Sequence, residues 1–199
     1  IRSLGYEGGV HLVNPRYDSI DGQPSHAAIP DGTDCAAFVL GDALLVDAVE
    51  AAAQRGVKGA VLFGRAHGET AEGLPRAEAM RGIAARAGMA ICGANCMGFV
   101  NLRDRLQVTG MPFKALHAPS GVALISHSGS TWSGLVGNRR QMGFDVAVSA
   151  GQELATTVVD YIRYFLTQPE IRVIACVLET VRDPEGFIAV TRQAREQGV

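Results

Sequence analysis

The sequence predicts an α/β protein built from two successive units in which parallel strands alternate with helices. Short apolar runs such as Cys35–Leu40 and Ala60–Phe63 recur between segments of helical periodicity. The composition agrees, because 47% of the residues are hydrophobic, only 6% are aromatic, and 24 glycines suit tight strand-to-helix turns. This alternation is typical of parallel sheets covered by helices on both faces.

The first unit is predicted to contain four strands and two helices. The strands are Val10–Val13, Cys35–Leu40, Ala60–Phe63 and Met89–Cys92. Asp42 is expected to cap a helix that ends at Gly56. A second helix follows Pro75 and stops at Gly88.

The second unit begins after Leu102–Ser120, a segment with two prolines and no clear periodicity that we interpret as a linker. We therefore expect one unit over residues 1–115 and another over residues 119–199. The predicted strands are Val122–Ile125, Val146–Val148 and Arg172–Leu178. The predicted helices run from Ser128 to about Met142, over Val158–Leu166, and from Asp183-Pro184, as N-cap and first helical residue.

Charge and cysteine content exclude several classes of protein. A net charge of −2, from 18 basic and 20 acidic residues, gives no reason to expect a nucleic-acid partner. No apolar run reaches the roughly 18 residues of a membrane span. The four cysteines fit no zinc spacing, no metal site is expected, and Cys35 and Cys176 lie in apolar runs typical of buried thiols. We expect a reducing, cytoplasmic location.

Gly93-Ala94-Asn95-Cys96-Met97-Gly98 directly follows a predicted strand. Glycines around Asn95 permit a sharp turn that presents backbone N–H groups and an amide to a ligand. An ordinary strand-to-loop turn is the alternative.

Ser126-His127-Ser128-Gly129-Ser130 lies between a predicted strand and a predicted helix. Free N–H groups and the positive end of the helix dipole suit such a junction to phosphate. A routine serine N-cap is the alternative. We expect His127 to be a hydrogen-bonding residue and not a covalent phosphate carrier.

Glu179 follows a buried strand, at the sheet edge where open parallel sheets bind ligands. Its carboxylate can orient or deprotonate a histidine. The alternative is a residue that caps the following turn.

Ordered landmarks along the chain are more specific than any one of these motifs. They are Val13-Asn14-Pro15, Gly56–Val61, Gly93–Asn101, Ile125–Gly129, Val148–Glu153, Asp160-Tyr161 and Leu178-Glu179. This series resembles the NDP-forming acyl-CoA synthetases, the acetate–CoA ligase relatives of the succinyl-CoA synthetase α subunit. The resemblance covers nearly the whole chain.

The resemblance implies a Rossmann-like CoA-binding domain that lacks its first strand, followed by a flavodoxin-like ligase domain. It implies a ligase that joins a carboxylic acid to CoA through an acyl phosphate and a phosphohistidine, while a nucleoside triphosphate becomes diphosphate and phosphate. The nucleotide, ATP or another triphosphate with Mg²⁺, would be held by an ATP-grasp domain or subunit outside this chain. An oligomer is also implied.

Site residues follow from the same resemblance. Asn14, Pro15, Leu40 and Gly41 would line the CoA site, and Asn95 would lie where the CoA thiol meets the phosphate. The phosphate would be held by Ser128 and Gly129 at the helix N-terminus. Glu179 would be the catalytic carboxylate that contacts the phosphohistidine.

This chain departs from the family pattern at four positions. Ala94 replaces the proline of the family's Gly-Pro-Asn motif. His127 replaces the glutamine of its Ser-Gln-Ser-Gly motif. Gln152 replaces an asparagine, and Ala155 occupies an acidic position. The first glycine-rich CoA loop and the histidine loop are not in the chain, whose ends resemble cuts through a larger protein. We expect the chain alone not to complete the reaction.

Two other functions are compatible with parts of the pattern. A non-catalytic module that senses CoA or a nucleotide is one, because the same domains occur fused to protein acetyltransferases. A nicotinamide-dependent oxidoreductase is the other, although the chain lacks Gly-x-Gly-x-x-Gly. The sequence does not identify the acid or the nucleotide.

Overall fold

A computed structural model describes residues 1–113 and 116–199, and within them the strands form three sheets. The strands are β1 (Leu12–Val13), β2 (Ser19–Ile20), β3 (Gln23–His26), β4 (Cys35–Phe38), β5 (Gly59–Leu62), β6 (Ala90–Gly93), β7 (Gly98–Asn101), β8 (Leu106–Thr109), β9 (Val122–Ser126), β10 (Val146–Ser149) and β11 (Val173–Val177). The helices are α1 (Asp42–Gln54), α2 (Arg76–Ala87), α3 (Gly129–Val136), α4 (Val158–Leu166) and α5 (Pro184–Glu196). The predicted α/β class is confirmed.

The first main sheet has the order β4-β5-β6, and both of its pairings are parallel. Helix α1 buries Leu45, Val49 and Ala52, which share one face because they are spaced by three or four residues. They join Met80 of α2 and Ile91 of β6 in one core cluster. These elements confirm the strands and helices predicted for residues 35–93, and a small sheet, β1-β3-β2, precedes them.

The second main sheet has the order β11-β9-β10-β7-β8. Strand β9 lies between β10 and β11 and is parallel to both, whereas β7 is antiparallel to β10 and β8. The interpretation of Leu102–Ser120 as an irregular linker was wrong where β8 lies. Strand β8 is only four residues long, and it is defined by its pairing with β7. The other edge of β7 pairs with β10.

Helices cover both faces of this second sheet. Leu124 packs with the fully buried Trp132 of α3 on one face. Its neighbour Ile125 packs with Ile162 and Phe165 of α4 on the other. Successive β9 residues thus contribute to opposite cores, as the period of two in a strand requires.

Two helix termini differ from the sequence prediction. Helix α3 ends at Val136 and not near Met142, because Gly137 closes it and the Asn138 amide donates to the carbonyls of Leu135 and Met142. The N-cap of α1 is Gly41 and not Asp42. The Asp42 carboxylate instead accepts backbone N–H groups from the loop after β5. Asp183, by contrast, caps α5 as predicted, accepting from the Gly186 N–H at 2.9 Å.

The prediction that Cys35 and Cys176 are buried thiols was wrong. Cys35 and Cys176 are exposed, whereas Cys92 and Cys96 are buried. Cys35 and Cys176 lie on β4 and β11, which are edge strands of their sheets and therefore have one flank uncovered.

The expected end of the first unit, residue 115, lies outside the described residues, as does Lys114. Among the residues that the structure describes, no helix is both long enough and apolar enough to cross a membrane.

Candidate functional site

The carboxyl ends of β9, β10 and β11 form one edge of the second sheet. Ser126 pairs in register with Ser149 on one side and with Val177 on the other. The chain passes from β9 through α3 to β10, and then through α4 to β11 on the opposite side of β9. Ligands in open parallel sheets bind where the strand order reverses in this way, so the turn after β9 lies at the expected ligand crevice.

The turn after β9 is closely held by its neighbours. The Ser126 hydroxyl donates to the Ser128 carbonyl at 2.9 Å, and the His127 N–H donates to the Val177 carbonyl at 3.0 Å. Ser128 is the N-cap of α3, and its hydroxyl accepts the Thr131 N–H at 3.3 Å. The sequence alternative of a serine cap is therefore confirmed, and it is compatible with an anion site beside the cap.

Two backbone donors remain at the start of α3. The Thr131 and Trp132 N–H groups both bond to Ser128, and those of Gly129 and Ser130 have no acceptor among the described residues. The first N–H groups of a helix have no partner within it, and the helix dipole adds about half a positive charge there. These two N–H groups can bind an anion.

His127 and Glu153 form a buried pair directly behind this turn. The Nε2 atom of His127 lies 3.0 Å from Oε1 of Glu153, and the side chains are 3% and 0% exposed. The other Glu153 oxygen, Oε2, lies 3.8 Å from Nε of Arg182, whose side chain is half exposed. On the opposite side of the ring, the Glu179 backbone N–H donates to His127 Nδ1 at 3.1 Å.

Glu179 thus contacts a histidine of this chain, His127, and it does so through its backbone N–H. The predicted contact was between its side chain and a phosphohistidine outside the chain. Its side chain is exposed at the crevice, and its proposed catalytic role stays a prediction. Sequence reasoning missed Glu153, whose carboxylate is the one buried against His127. The available signal was its place as the last residue of the Val148–Glu153 landmark, five residues after the predicted strand Val146–Val148.

The Asn95 loop joins the two main sheets at their ligand edges. The Gly93–Ala94 peptide bond is cis. The Gln152 N–H donates to the Ala94 carbonyl at 2.9 Å, and the Asn95 N–H donates to the Gly64 carbonyl at 2.7 Å. The loop therefore contacts both the loop after β10 and the loop after β5.

Residue Met97 brings the Asn95 loop against the Ser128-Gly129 turn. A Cβ atom on Gly129 would lie 2.9 Å from Met97 Cγ, so only a glycine leaves the Met97 side chain undisturbed. The Met97 N–H donates to the Ser149 hydroxyl at 3.0 Å. The structure therefore brings the Asn95 loop, through Met97, against the Gly129 turn.

Leu40 and Gly41 lie at the same edge of the first sheet as Asn95. They follow β4, the neighbour of β5, and a Cβ atom on Gly64 would lie 3.2 Å from the Leu40 carbonyl oxygen. Leu40 is 39% exposed and available to a ligand. Gly64 connects Leu40 to Asn95, because its carbonyl accepts the Asn95 N–H.

Asn14 and Pro15 directly follow β1 of the separate β1-β3-β2 sheet. The Asn14 N–H donates to the His26 carbonyl at 2.9 Å, and its side-chain oxygen accepts the Arg16 N–H at 3.0 Å. The Asn14 side chain therefore shapes its own turn. The predicted CoA contacts of Asn14 and Pro15 stay a prediction.

Buried thiols and a phenol lie beneath the site. A hydrogen bond with Cys96, together with burial, raises the pKa of the Cys92 thiol well above its usual range. The same bond lowers the pKa of Cys96. Burial raises the pKa of the Tyr161 phenol, and the charge of Glu153 adds to that increase. Burial thus disfavours the charged forms of the Cys92 thiol and the Tyr161 phenol.

Two family models together match most of the chain. Residues 1–101 match a "CoA binding domain", and residues 119–199 match a "succinyl-CoA ligase like flavodoxin domain". The chain belongs to the NDP-forming acyl-CoA synthetase family. The resemblance that the ordered motifs indicated is confirmed.

Curated members of this synthetase family align with almost the whole chain. A trans-feruloyl-CoA synthase from an unknown prokaryotic organism is 32% identical over 97% of the chain, which spans 29% of that protein. The alpha subunit of ADP-forming acetate–CoA ligase II of Pyrococcus furiosus is 30% identical over 96% of the chain, which spans 43% of that subunit. The chain thus corresponds to less than half the length of these relatives.

Two solved structures have the same fold as this chain. The PH0766 protein of Pyrococcus horikoshii OT3 superposes with a TM-score of 0.86 at 27% identity, covering 98% of this chain and 46% of that one. A dinucleotide-forming acetyl-coenzyme A synthetase 1 of Ca. Korarchaeum cryptofilum, in complex with phosphate and ADP, superposes with a TM-score of 0.85 at 27% identity, covering 96% and 42%.

Proposed function

We propose that this chain supplies the CoA-binding and phosphate-binding parts of an acid–thiol ligase. The whole protein would form an acyl-CoA from a carboxylic acid, CoA and a nucleoside triphosphate, with acyl phosphate and phosphohistidine intermediates. The contact between the Asn95 loop and the Gly129 turn carries this proposal. A thiol held at one sheet edge and a phosphoryl group held at the other would meet there.

The CoA site extends along the ligand edge of the first sheet. Leu40 and Gly41 provide an apolar surface and exposed backbone, and Asn95 provides an amide beside them. Asn14 and Pro15 complete this site from the small sheet. The relatives named as CoA ligases and synthetases support CoA as the ligand.

The phosphate site consists of the N–H groups of Gly129 and Ser130, the Ser128 turn and the Asn95 amide. These donors are compatible with a transferred phosphoryl group, because backbone N–H groups at a helix N-terminus favour anions. ATP or another nucleotide with Mg²⁺ would be bound by an ATP-grasp domain or subunit outside the chain. The Korarchaeum relative, whose complex contains phosphate and ADP, supports phosphate and a nucleotide as ligands of the whole protein.

We expect ¹H–¹⁵N NMR titrations to separate the two sites. Inorganic phosphate should shift the Gly129 and Ser130 amides, and CoA should shift those of Gly41 and Asn95. A Gly129→Ala variant should bind phosphate about tenfold more weakly, because its Cβ displaces Met97. Gly134→Ala is the matched control, since a Cβ there meets nothing within 4 Å. NADH shifts without CoA shifts would contradict the proposal and favour an oxidoreductase.

The Glu179 carboxylate is proposed to contact the phosphohistidine when the histidine loop enters the crevice. Its exposure leaves it available to that loop, and its backbone is fixed on His127. In the whole protein, Glu179→Gln should slow transfer of labelled phosphate from the nucleotide to the histidine by about 10²-fold or more. Glu185→Gln, an exposed charge change on α5, should not. A whole protein that binds CoA but never becomes phosphorylated would instead be a sensing module.

A further inference from the structure

We propose that Glu153 is a positioning residue, which acts through the His127 ring to hold the anion-binding turn of Ser128 and Gly129. The inference rests on the proposed phosphate-binding function. It assigns a role to Glu153, which the Val148–Glu153 motif contains without a predicted function, and to His127, one of the departures from the family pattern.

The His127 ring connects the ends of three neighbouring strands. The ring itself follows β9, its Nε2 faces Glu153 after β10, and its Nδ1 accepts the Glu179 N–H after β11. The residue that follows His127 is Ser128, the N-cap of α3. A shift of the ring would therefore move the start of that helix.

The contacts define the state of the ring. Because Nδ1 accepts the Glu179 N–H, the proton of neutral His127 is on Nε2, where it faces the Glu153 carboxylate 3.0 Å away. Nδ1 is occupied by the Glu179 N–H, and Nε2 already carries the proton of the neutral ring, so neither nitrogen is free to take a proton from a bound thiol. The geometry therefore indicates positioning and not general-base catalysis.

The position of Glu153 is unfavourable for a glutamate. Its backbone has φ 49°, a left-handed conformation that glycine and asparagine adopt more easily than glutamate. Its carboxylate is fully buried, which is unfavourable for an ion that lacks a close partner. His127 Nε2, 3.0 Å from Oε1, and Arg182 Nε, 3.8 Å from Oε2, are its ion-pair partners, and neither carboxylate oxygen forms a hydrogen bond within the described residues. An unfavourable backbone and a buried charge at one residue are typical of functional sites.

The test uses three variants of this chain and two NMR measurements. Hydrogen exchange of the Glu179 amide reports whether the His127 ring stays in place. The phosphate shifts of the Gly129 and Ser130 amides report affinity in the folded molecules only, so lost stability does not imitate the effect. Glu153→Gln retains a side-chain oxygen of the same reach, Glu153→Ala removes it, and Glu185→Ala is the control for an exposed acidic residue.

We expect Glu153→Ala to accelerate Glu179 exchange at least tenfold and to weaken phosphate binding at least tenfold. Glu153→Gln should restore both values to within about threefold of wild type, and Glu185→Ala should change neither. Unchanged exchange in Glu153→Ala, or faster exchange with unchanged phosphate affinity, would overturn the positioning role. If phosphate shifts neither amide in the wild type, the proposed function fails instead, and Glu179 exchange alone decides whether Glu153 holds the ring.

Discussion

The carboxylate of Asp42 accepts the backbone N–H of Ala66 at 3.1 Å, across 24 residues of sequence. The same carboxylate accepts the N–H groups of Arg65 and His67 at 2.9 and 3.2 Å. Ala66 has φ 59°, a left-handed backbone conformation that alanine does not favour. The first residue of α1 thus holds the loop that carries Gly64 against Leu40 and Asn95.

We expect Asp42→Ala to lower the free energy of unfolding by about 2 kcal/mol. Hydrogen bonds to a charged acceptor are stronger than neutral ones, and the buried Ala66 N–H would lose its partner. Urea unfolding followed by far-UV circular dichroism measures the change. Asp47→Ala, exposed on the same helix, should lie within about 0.5 kcal/mol of wild type. Equal effects of the two substitutions would contradict the role of Asp42.

We expect Gly151→Ala to destabilise the protein by about 3 kcal/mol. Gly151 has φ 59°, and its new Cβ would overlap the Ala94 carbonyl oxygen and lie 2.8 Å from that of Asn95. Both obstacles are backbone atoms, so the Asn95 loop itself must move. Gly32→Ala is the matched control, because Gly32 has φ 77° and open space around its Cβ position.

The control isolates the conformational cost of a left-handed alanine, which is about 1 kcal/mol. Thermal and urea unfolding of both variants give the comparison. A Gly151→Ala variant no less stable than Gly32→Ala would show that the Asn95 loop is not held tightly against the loop after β10.

The Cys176 thiol should respond to the charge of Glu153. Burial raises the pKa of this thiol to about 11 from the ordinary 9.0, and the Glu153 carboxylate adds to the increase. The residue is nevertheless exposed enough for iodoacetamide to reach it. We expect Glu153→Gln to increase the alkylation rate of Cys176 several-fold at pH 9.5, because more thiolate forms once the negative charge is removed.

Peptide mass spectrometry measures this rate for each cysteine separately. Cys35 is an internal control, because burial and Asp34, and not Glu153, raise its pKa. The sign of the stability effect follows from the same shift. Between about pH 9 and 11 the unfolded chain releases the Cys176 proton while the folded chain retains it, so stability should fall as the pH rises through this window. An unchanged Cys176 rate in Glu153→Gln would indicate that Glu153 carries no charge.

We expect Asp183→Ala to cost about 1 kcal/mol, because the Gly186 N–H at the start of α5 would lose its side-chain acceptor. Asp183→Asn, which retains an acceptor oxygen, should retain most of the stability. Chemical denaturation of the three proteins tests the order. Equal losses from alanine and asparagine would show that charge, and not the cap hydrogen bond, stabilises the helix.

The sequence alone determined those elements whose stabilising residues are local. The strands of residues 35–93 were predictable from apolar runs, and α5 from Asp183-Pro184, because caps and periodicity act within a few residues. The ordered motifs also identified the family, since their succession over the chain is specific even where single motifs are not.

Only the tertiary structure decided which side chains meet. Asp42 was a plausible helix cap, yet a loop more than 20 residues away takes its carboxylate. Strand β8 depends on β7, and β7 in turn pairs with β10, which lies far along the chain. His127 and Glu153 come together because β9 and β10 are neighbours, a relation that sheet order determines and local pattern does not record. Burial depends on such long-range packing, which is why the contact of Glu153 with His127 was found only in the folded chain.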